Sequence, residues 1–342
     1  MASVKSIRQR VKSVRNTAQI TKAMEAVSAT KMRRSQEFAF SARPFAVASL
    51  EMLYNLFSRT SLRPALLQSR PVTHTCLLLV ASDKGLAGAF NANVFKKTEQ
   101  WLLRKKTAGI SVAVVAVGKK AREYAERKNT HIIKSFTGFG DYSMSKDTLP
   151  IAELVINGFL DGSWDEVASV SMNFRTTLVQ EAIARIILPA TEQGIQETVN
   201  AILPERGKFA TDRTFPFPLP SASATSIAPP SHKDMAGHSE AMNVTKATAD
   251  KPSLYSYEYK FEPSADELLN VLVPQLIRTQ IHHIILESNA SEHSARMVAM
   301  KNASDNAREL ISDLTMLANK ARQAGITAEL TEITAGKEAL EE

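Results

Sequence analysis

Apolar residues in the first forty positions recur at helical spacing. Ile7, Val11, Val14 and Ala18 lie 4, 3 and 4 residues apart, and Ile20, Met24 and Val27 continue at 4 and 3. No Gly or Pro appears before Pro44. The spacing predicts one helix from about Ser3 to Ser58. Pro44 is expected to bend it, because proline removes a backbone donor and crowds the preceding turn. The end of the chain repeats the pattern more strictly. Ala303, Ala307, Leu310, Leu314, Leu317, Ala321 and Ala324 alternate steps of 4 and 3, a 3.5-residue period that predicts a left-handed coiled-coil seam. Ser264 is the expected N-cap, with Asp266 and Glu267 in a first turn whose dipole favours negative charge, and Pro274 is expected to bend this helix early. A helix of about 75 residues is about 110 Å long. A compact chain of this size has a radius of gyration of about 20 Å, so the helix must project from any globular body. Neither Met1–Glu37 nor Ser264–Glu342 contains Phe, Tyr or Trp. Small aliphatic seam residues let two helices approach closely, and the two terminal segments read as antiparallel partners.

The middle of the chain, about 73–206, follows a different rhythm. Thr75–Val80 and Val112–Val117 are continuous apolar runs, as in strands buried on both faces, and Glu166–Phe174 alternates less cleanly. Helical stretches are expected around Ala92–Lys106, Lys119–Arg127, Asp147–Asp161 and Thr177–Ile187. This order predicts an α/β domain, doubly wound around a mostly parallel sheet. Leu254–Phe261, with Tyr255, Tyr257, Tyr259 and Phe261 on one face, reads as a further strand. Between them, Pro204–Pro252 holds seven of the chain's fourteen prolines and reads as an irregular insertion. The expected organisation is a coiled-coil helix over 1–60, the α/β domain over 73–206, the insertion over 207–252, a further strand over 253–262 and the second coiled-coil helix over 264–342.

The chain has 342 residues and a formal net charge of +7. That excess points to an acidic protein surface, nucleic acid or an anionic membrane surface as partner. It is concentrated in the first 43 residues, where Lys5, Arg8, Arg10, Lys12, Arg15, Lys22, Lys31, Arg33, Arg34 and Arg43 are accompanied only by Glu25 and Glu37. No aromatics interleave these cations, as single-strand binding would need, and no nucleic-acid fold signature appears. Cys76 is the single cysteine, so no disulfide within the chain is possible, and its apolar surroundings predict a buried, inert thiol. No apolar run is long enough to span a membrane, and the basic start lacks the apolar core of a signal peptide.

Ser82–Asn91 follows a strand and precedes a helix, where a phosphate loop would sit. It has neither the P-loop spacing nor the dinucleotide spacing, so a tight turn needing glycine is the better reading. Val117-Gly118-Lys119-Lys120 is a second such turn. His282 and His283 are adjacent and point about 100° apart on a helix, and no Cys, His and carboxylate cluster has ligand spacing. No nucleophile elbow is present. No catalytic residue, cofactor or metal is expected.

Two long motifs then make a family visible. Ile7–Met24, reading IRQRVKSVRNTAQITKAM, and Ser28–Arg34 resemble the opening helix of F-type ATP synthase gamma subunits. Ser82–Asn91 is similar to that family's glycine turn, with Ala87 and Ala89 where Cys and Gly are frequent. Phe261–Ser264, Ser291–Asn306 and Ala321–Ile333 resemble the start and the most specific stretches of its last helix. The likeness covers nearly the whole chain except Pro204–Pro252.

The resemblance implies a rotating central shaft that couples proton flow to ATP synthesis and hydrolysis without catalysing either. It implies one copy per complex, with alpha and beta subunits around the coiled coil, and the epsilon subunit and membrane rotor ring against the α/β domain. The location implied is peripheral, on the cytoplasmic face of an energy-transducing membrane, with a bacterial inner membrane favoured. Lys22 and Met24 match positions close to an acidic lever on beta. Arg322, Gln323, Thr327 and Glu332 match positions that hydrogen-bond the alpha–beta ring near the shaft's tip. Gly325 and Ala328 depart from the family pattern there. The insertion has no cysteine pair, so redox control is excluded, and it is either a passive loop, which its composition favours, or a brake on backward rotation. Two other readings stay open on the residues alone: a nucleotide-binding α/β protein, and a coiled-coil scaffold or nucleic-acid binder using the basic helix.

Overall fold

The computed structural model describes residues 4–59, 64–139, 143–191 and 265–341, with side chains left out for 39–59 and for a few residues at the ends of the last helix. All of them belong to one unit, which excludes Leu203–Glu262. The expected N-cap Ser264, the strand Leu254–Phe261 and the insertion therefore lie outside the described residues.

The described elements are α1 (Val4–Arg59), β1 (His74–Val80), α2 (Phe90–Thr107), β2 (Ser111–Val117), α3 (Lys119–Arg127), β3 (His131–Phe136), α4 (Ser145–Leu160), β4 (Glu166–Phe174), β5 (Gln180–Leu188) and α5 (Ala265–Glu341). A short 3-10 turn, Ala65–Leu67, precedes β1. The five strands form one sheet in the order β3-β2-β1-β4-β5. β1 runs parallel to both β2 and β4, and β2 runs parallel to β3. Only β5 is antiparallel, pairing with β4 from Val167 opposite Leu188 to Phe174 opposite Gln180.

The apolar runs follow from this order. β1 lies between two partners and is covered on both faces, so every residue from Thr75 to Val80 is buried. Leu77 and Leu79 face a core shared with Phe90 and Val94 of α2 and Ala121, Tyr124 and Ala125 of α3. Phe95 of α2 stacks on Tyr124 of α3 with ring centroids 4.3 Å apart. By strand alternation Cys76, Leu78 and Val80 face the other side, where α4 and α5 pack against each other and α5 packs against β4. The thiol of Cys76 is fully buried, and burial pushes its pKa up to about 12, so it stays protonated and unreactive.

Two elements differ from the sequence expectation. Thr177–Ile187, expected as helix, is largely strand β5. Glu181, Ala182, Ala184 and Arg185 favour helices in isolation, but the short link after β4 folds the chain straight back, with the Thr176 N–H donating to the Val179 carbonyl at 3.0 Å. Pairing along the whole of β4 then outweighs local propensity. β3 was not anticipated, because His131-Ile-Ile-Lys-Ser-Phe is short, half-exposed and mixed in character. The helix α5 runs on past Pro274, and α1 runs on past position 44 without a break.

The amino ends of β1 and β4 are tied by Asp165. Its carboxylate accepts the Thr73 N–H at 2.9 Å, the Thr73 hydroxyl at 2.8 Å and the His74 N–H at 3.0 Å. The Arg70 guanidinium lies 3.1 Å away. The Thr73 N–H, then the Thr73 hydroxyl and the His74 N–H, hold its pKa down at about 2. A carboxyl lowered in this way stabilises the fold above its unfolded pKa near 4 and loses that contribution as pH falls toward 2. Asp165→Asn is expected to lower stability by about 1–2 kcal/mol at neutral pH. In urea denaturation the gap to the parent should narrow between pH 4 and pH 2. A gap that stays constant with pH would contradict the assignment.

Candidate functional site: paired helices, a free tip and a polar joint

Ile7 packs against Leu314 and Ala318, with Val11, Val14 and Ala321 beside them. Further along, Met24, Val27 and Ser28 of α1 share a cleft with Ile285, Asn289 and His293 of α5. Rising numbers on one helix meet falling numbers on the other, so the pair is antiparallel.

One line of buried and half-buried positions on α1 runs through Ile7, Val11, Val14, Ala18, Thr21, Glu25, Ser28, Met32 and Ser35, and the line on α5 through Met300, Ser304, Ala307, Ile311, Leu314, Ala318 and Ala321. Both sets keep steps of 4 and 3 throughout, the coiled-coil repeat. The phase corrects the expectation at several positions. Ile20 and Val27 are 60% and 54% exposed, and Leu310 and Leu317 point outward. Thr21, Ser28, Ile311 and Ala318 take those seam places instead. Apolar side chains are left over for another surface.

The seam ends at Ala321. Residues 322–336 are exposed throughout, so this stretch of α5 continues without a partner among the described residues. Ile326, Leu330 and Ile333 stand out from it. A lone helix bearing bare isoleucine and leucine is a surface built for burial against something else.

The six residues singled out from the sequence fall into two places. Lys22 is exposed and pairs with Glu25 at 3.0 Å, an i,i+3 pair worth little in solvent. Met24, half-buried, lines the cleft of about 620 Å³ where α1 and α5 meet the carboxyl ends of β1 and β2. Arg322, Gln323, Thr327 and Glu332 all sit on the exposed tip, about 50 Å further along α5 at 1.5 Å per residue. There the Thr327 hydroxyl donates back to the Gln323 carbonyl at 3.0 Å. Gly325 lies in this lone helix with open space where a Cβ would be. Gly325→Ala is expected to stabilise the tip by about 0.5–1 kcal/mol, read as slower hydrogen exchange over 322–336. Unchanged exchange would contradict a helical tip.

Between seam and sheet, α5 is fixed by polar contacts that spacing rules could not reveal. Arg278 donates to Glu153 of α4 at 2.7 and 2.9 Å. His282 shares a 3.1 Å hydrogen bond with Thr148, and burial, reinforced by neighbouring His283, lowers its pKa. The buried Glu287 faces Arg185 of β5 at 3.9 Å. The Ser294 hydroxyl donates to the Thr177 carbonyl at 2.7 Å. Arg296 pairs with Glu292 at 2.6 Å and reaches the Gly85 and Lys84 carbonyls at 3.3 and 3.4 Å. The available signal was the density of polar residues over 283–296 in a helix that is otherwise amphipathic.

The glycine turn after β1 lines the same cleft as Met24, and its carboxylate is already engaged. The Asp83 carboxylate accepts the N–H of Lys119, the first residue of α3, at 2.8 Å and the N–H of Gly138 at 2.9 Å. The protein's own anion thus sits at the N-terminus of α3, the place a phosphate in the Gly118 turn would take. Among the described residues no group of three His, Cys, Asp or Glu could hold a metal ion, and no helix is long and apolar enough to cross a membrane.

The fold recurs in solved rotary assemblies. The OSCP, F1 and c-ring structure of the Euglena gracilis mitochondrial ATP synthase contains a chain matching at TM-score 0.55 and 17% identity, with 98% of this chain and 94% of that one covered. The central stalk of the Tetrahymena thermophila enzyme matches at TM-score 0.52 and 19% identity, covering 83% and 99%. At those identities the likeness is one of fold. A family model described as ATP synthase matches residues 3–340, and the chain belongs to that family. Within it, the relatives are gamma chains: one from Roseiflexus castenholzii is 38% identical over 345 residues with both chains covered in full. Another from Synechococcus sp. (strain RCC307) is 35% identical over 346 residues, covering 99% and 100%.

Proposed function

We propose that the chain is the central rotor shaft of an F-type ATP synthase, turning proton flow into ATP synthesis and, in reverse, ATP hydrolysis into proton pumping. The observation that carries this reading is the geometry of α5. One helix is anchored in a sheet domain at residues 278–296, paired with α1 from there to Ala321, and then bare and partly apolar over 322–336. An element rooted at one end and unpartnered at the other can transmit rotation from a driven base to a surrounding sleeve.

On this reading alpha and beta subunits surround the paired helices, and the α/β body meets the epsilon subunit and the membrane rotor ring, one copy per complex. The chain catalyses nothing itself. It sits peripherally on the cytoplasmic face of an energy-transducing membrane, a bacterial inner membrane being favoured by its relatives. Two unlike helices make an asymmetric shaft, so each beta subunit meets a different face in turn. The shaft then shifts each nucleotide site among conformations by its differential contacts. Lys22 and Met24 meet an acidic lever on beta, drawn to the exposed cations of α1. Arg322, Gln323, Thr327 and Glu332 hydrogen-bond the ring at the tip, beside the apolar anchors Ile326, Leu330 and Ile333.

Met24→Lys adds a cation where the shaft meets that lever. In reconstituted complexes it is expected to cut ATP made per proton several-fold while ATP hydrolysis persists. Equal synthesis per proton in variant and parent would contradict the placement of Met24.

A further inference from the structure

Resting on the shaft reading, we infer that the turn after β1 is a torque-transmitting joint between the helix pair and the sheet domain, with Asp83 as its positioning residue. Within Asp83–Gly85 the chain is tied to both bodies. On the sheet side, Asp83 holds the N–H groups of Lys119 and Gly138 at 2.8 and 2.9 Å, which fixes the turn to α3 and to the segment after β3. The Ser82 hydroxyl, 2.6 Å from the Lys84 carbonyl and 2.8–3.0 Å from the Asn91 side chain, braces it internally. On the shaft side, Arg296 reaches the carbonyls of Lys84 and Gly85 while Glu292 fixes its guanidinium. The same turn lies directly on α5, since a Cβ at Gly88 would stand 3.4 Å from that of Ala299. Torque entering through the sheet domain therefore has a short polar route to α5, running from the α3 terminus through the Asp83 carboxylate and the turn to Arg296.

A carboxylate suits this task. It accepts two N–H groups from two separate segments as charge-assisted bonds, stronger than neutral ones. It does so at a helix end whose dipole favours negative charge. Links in series fail together: breaking either one leaves the route open, and breaking both adds little.

The test uses the whole complex in sealed vesicles, following ATP hydrolysis and proton uptake together while the opposing gradient builds. The parent complex must first assemble and pump; if it does neither, the shaft reading fails before the joint is tested. Asp83→Ala and Arg296→Gln are each expected to pump normally per ATP at the start, then to lose at least threefold in protons per ATP as the gradient rises. The double variant should be no worse than the weaker single. Should alanine at 83 prevent assembly, Asp83→Asn, of equal size, takes its place. A merely structural role would lower hydrolysis and pumping in equal proportion. A proton-to-ATP ratio that stays at the parent value at every gradient would overturn the joint.

Discussion

Alanine in place of Gly118 is expected to lower the stability of the α/β body by about 3–5 kcal/mol, from backbone strain plus overpacking. Gly118 has φ 95° and ψ 147°, a region that residues with a side chain essentially do not populate. A Cβ there would overlap the Ala81 carbonyl oxygen and lie 2.9 Å from its carbon. Neither side can yield cheaply. The Gly118 N–H is bonded to the Phe136 carbonyl at 2.8 Å, and the Ala81 N–H to the Val117 carbonyl at 2.9 Å. Any shift would also drag the neighbouring Lys119 N–H away from Asp83. Both tryptophans, Trp101 and Trp164, lie in this body, so their fluorescence in urea unfolding reads the change directly. A variant within about 0.5 kcal/mol of the parent, the ordinary range for a harmless substitution, would contradict the strained turn.

Leu314→Asp is expected to separate the helix pair without disturbing the sheet. Leu314 is buried against Ile7, and a carboxylate there has no partner in the apolar seam. The lost contacts and the buried charge cost about 3–5 kcal/mol. The damage should be local, because regions of a structure open independently. Amides of residues 4–18 should then exchange about a hundredfold faster or more, each 1.4 kcal/mol being tenfold, while tryptophan fluorescence of the body keeps its unfolding midpoint. Unchanged exchange over 4–18 would mean that the seam is held elsewhere.

The parts of this architecture that depend on local pattern were legible in the sequence, and those that depend on distant partners were not. β1 and β2 announce themselves because strands in the middle of the sheet are continuously apolar, and β4 shows through a looser alternation. The helix α3 matches its expected bounds. The heptad period was legible, but its phase was not. Leu310 and Ile311, and likewise Leu317 and Ala318, are adjacent apolar candidates, and only the partner helix decides which of each pair turns inward. On α1 the period holds while its occupants change to Thr21 and Ser28, so an apolar count drifts onto the exposed Ile20 and Val27. The strand β5 reads as helix because its pairing with β4 is invisible locally. The joint was beyond any spacing rule: Arg185 and Glu287, or Arg296 and Gly85, lie a hundred residues or more apart in the chain. Asp83 was visible only as part of a glycine turn, because the N–H groups it accepts come from two other segments.

The exposed seam leftovers and the bare tip together define what the account requires of its partners. Ile20, Val27, Leu317, Ile326, Leu330 and Ile333 need an apolar sleeve, while the cations of α1 need an acidic one. A ring that contacts both at once encloses the helix pair. Coexpressing the chain with the alpha and beta subunits of its host and weighing the purified assembly by native mass spectrometry shows whether it acts as the shaft. A stable ring carrying one copy of this chain is expected. A free chain, under conditions in which the ring subunits of other synthases assemble around their shaft, would contradict it.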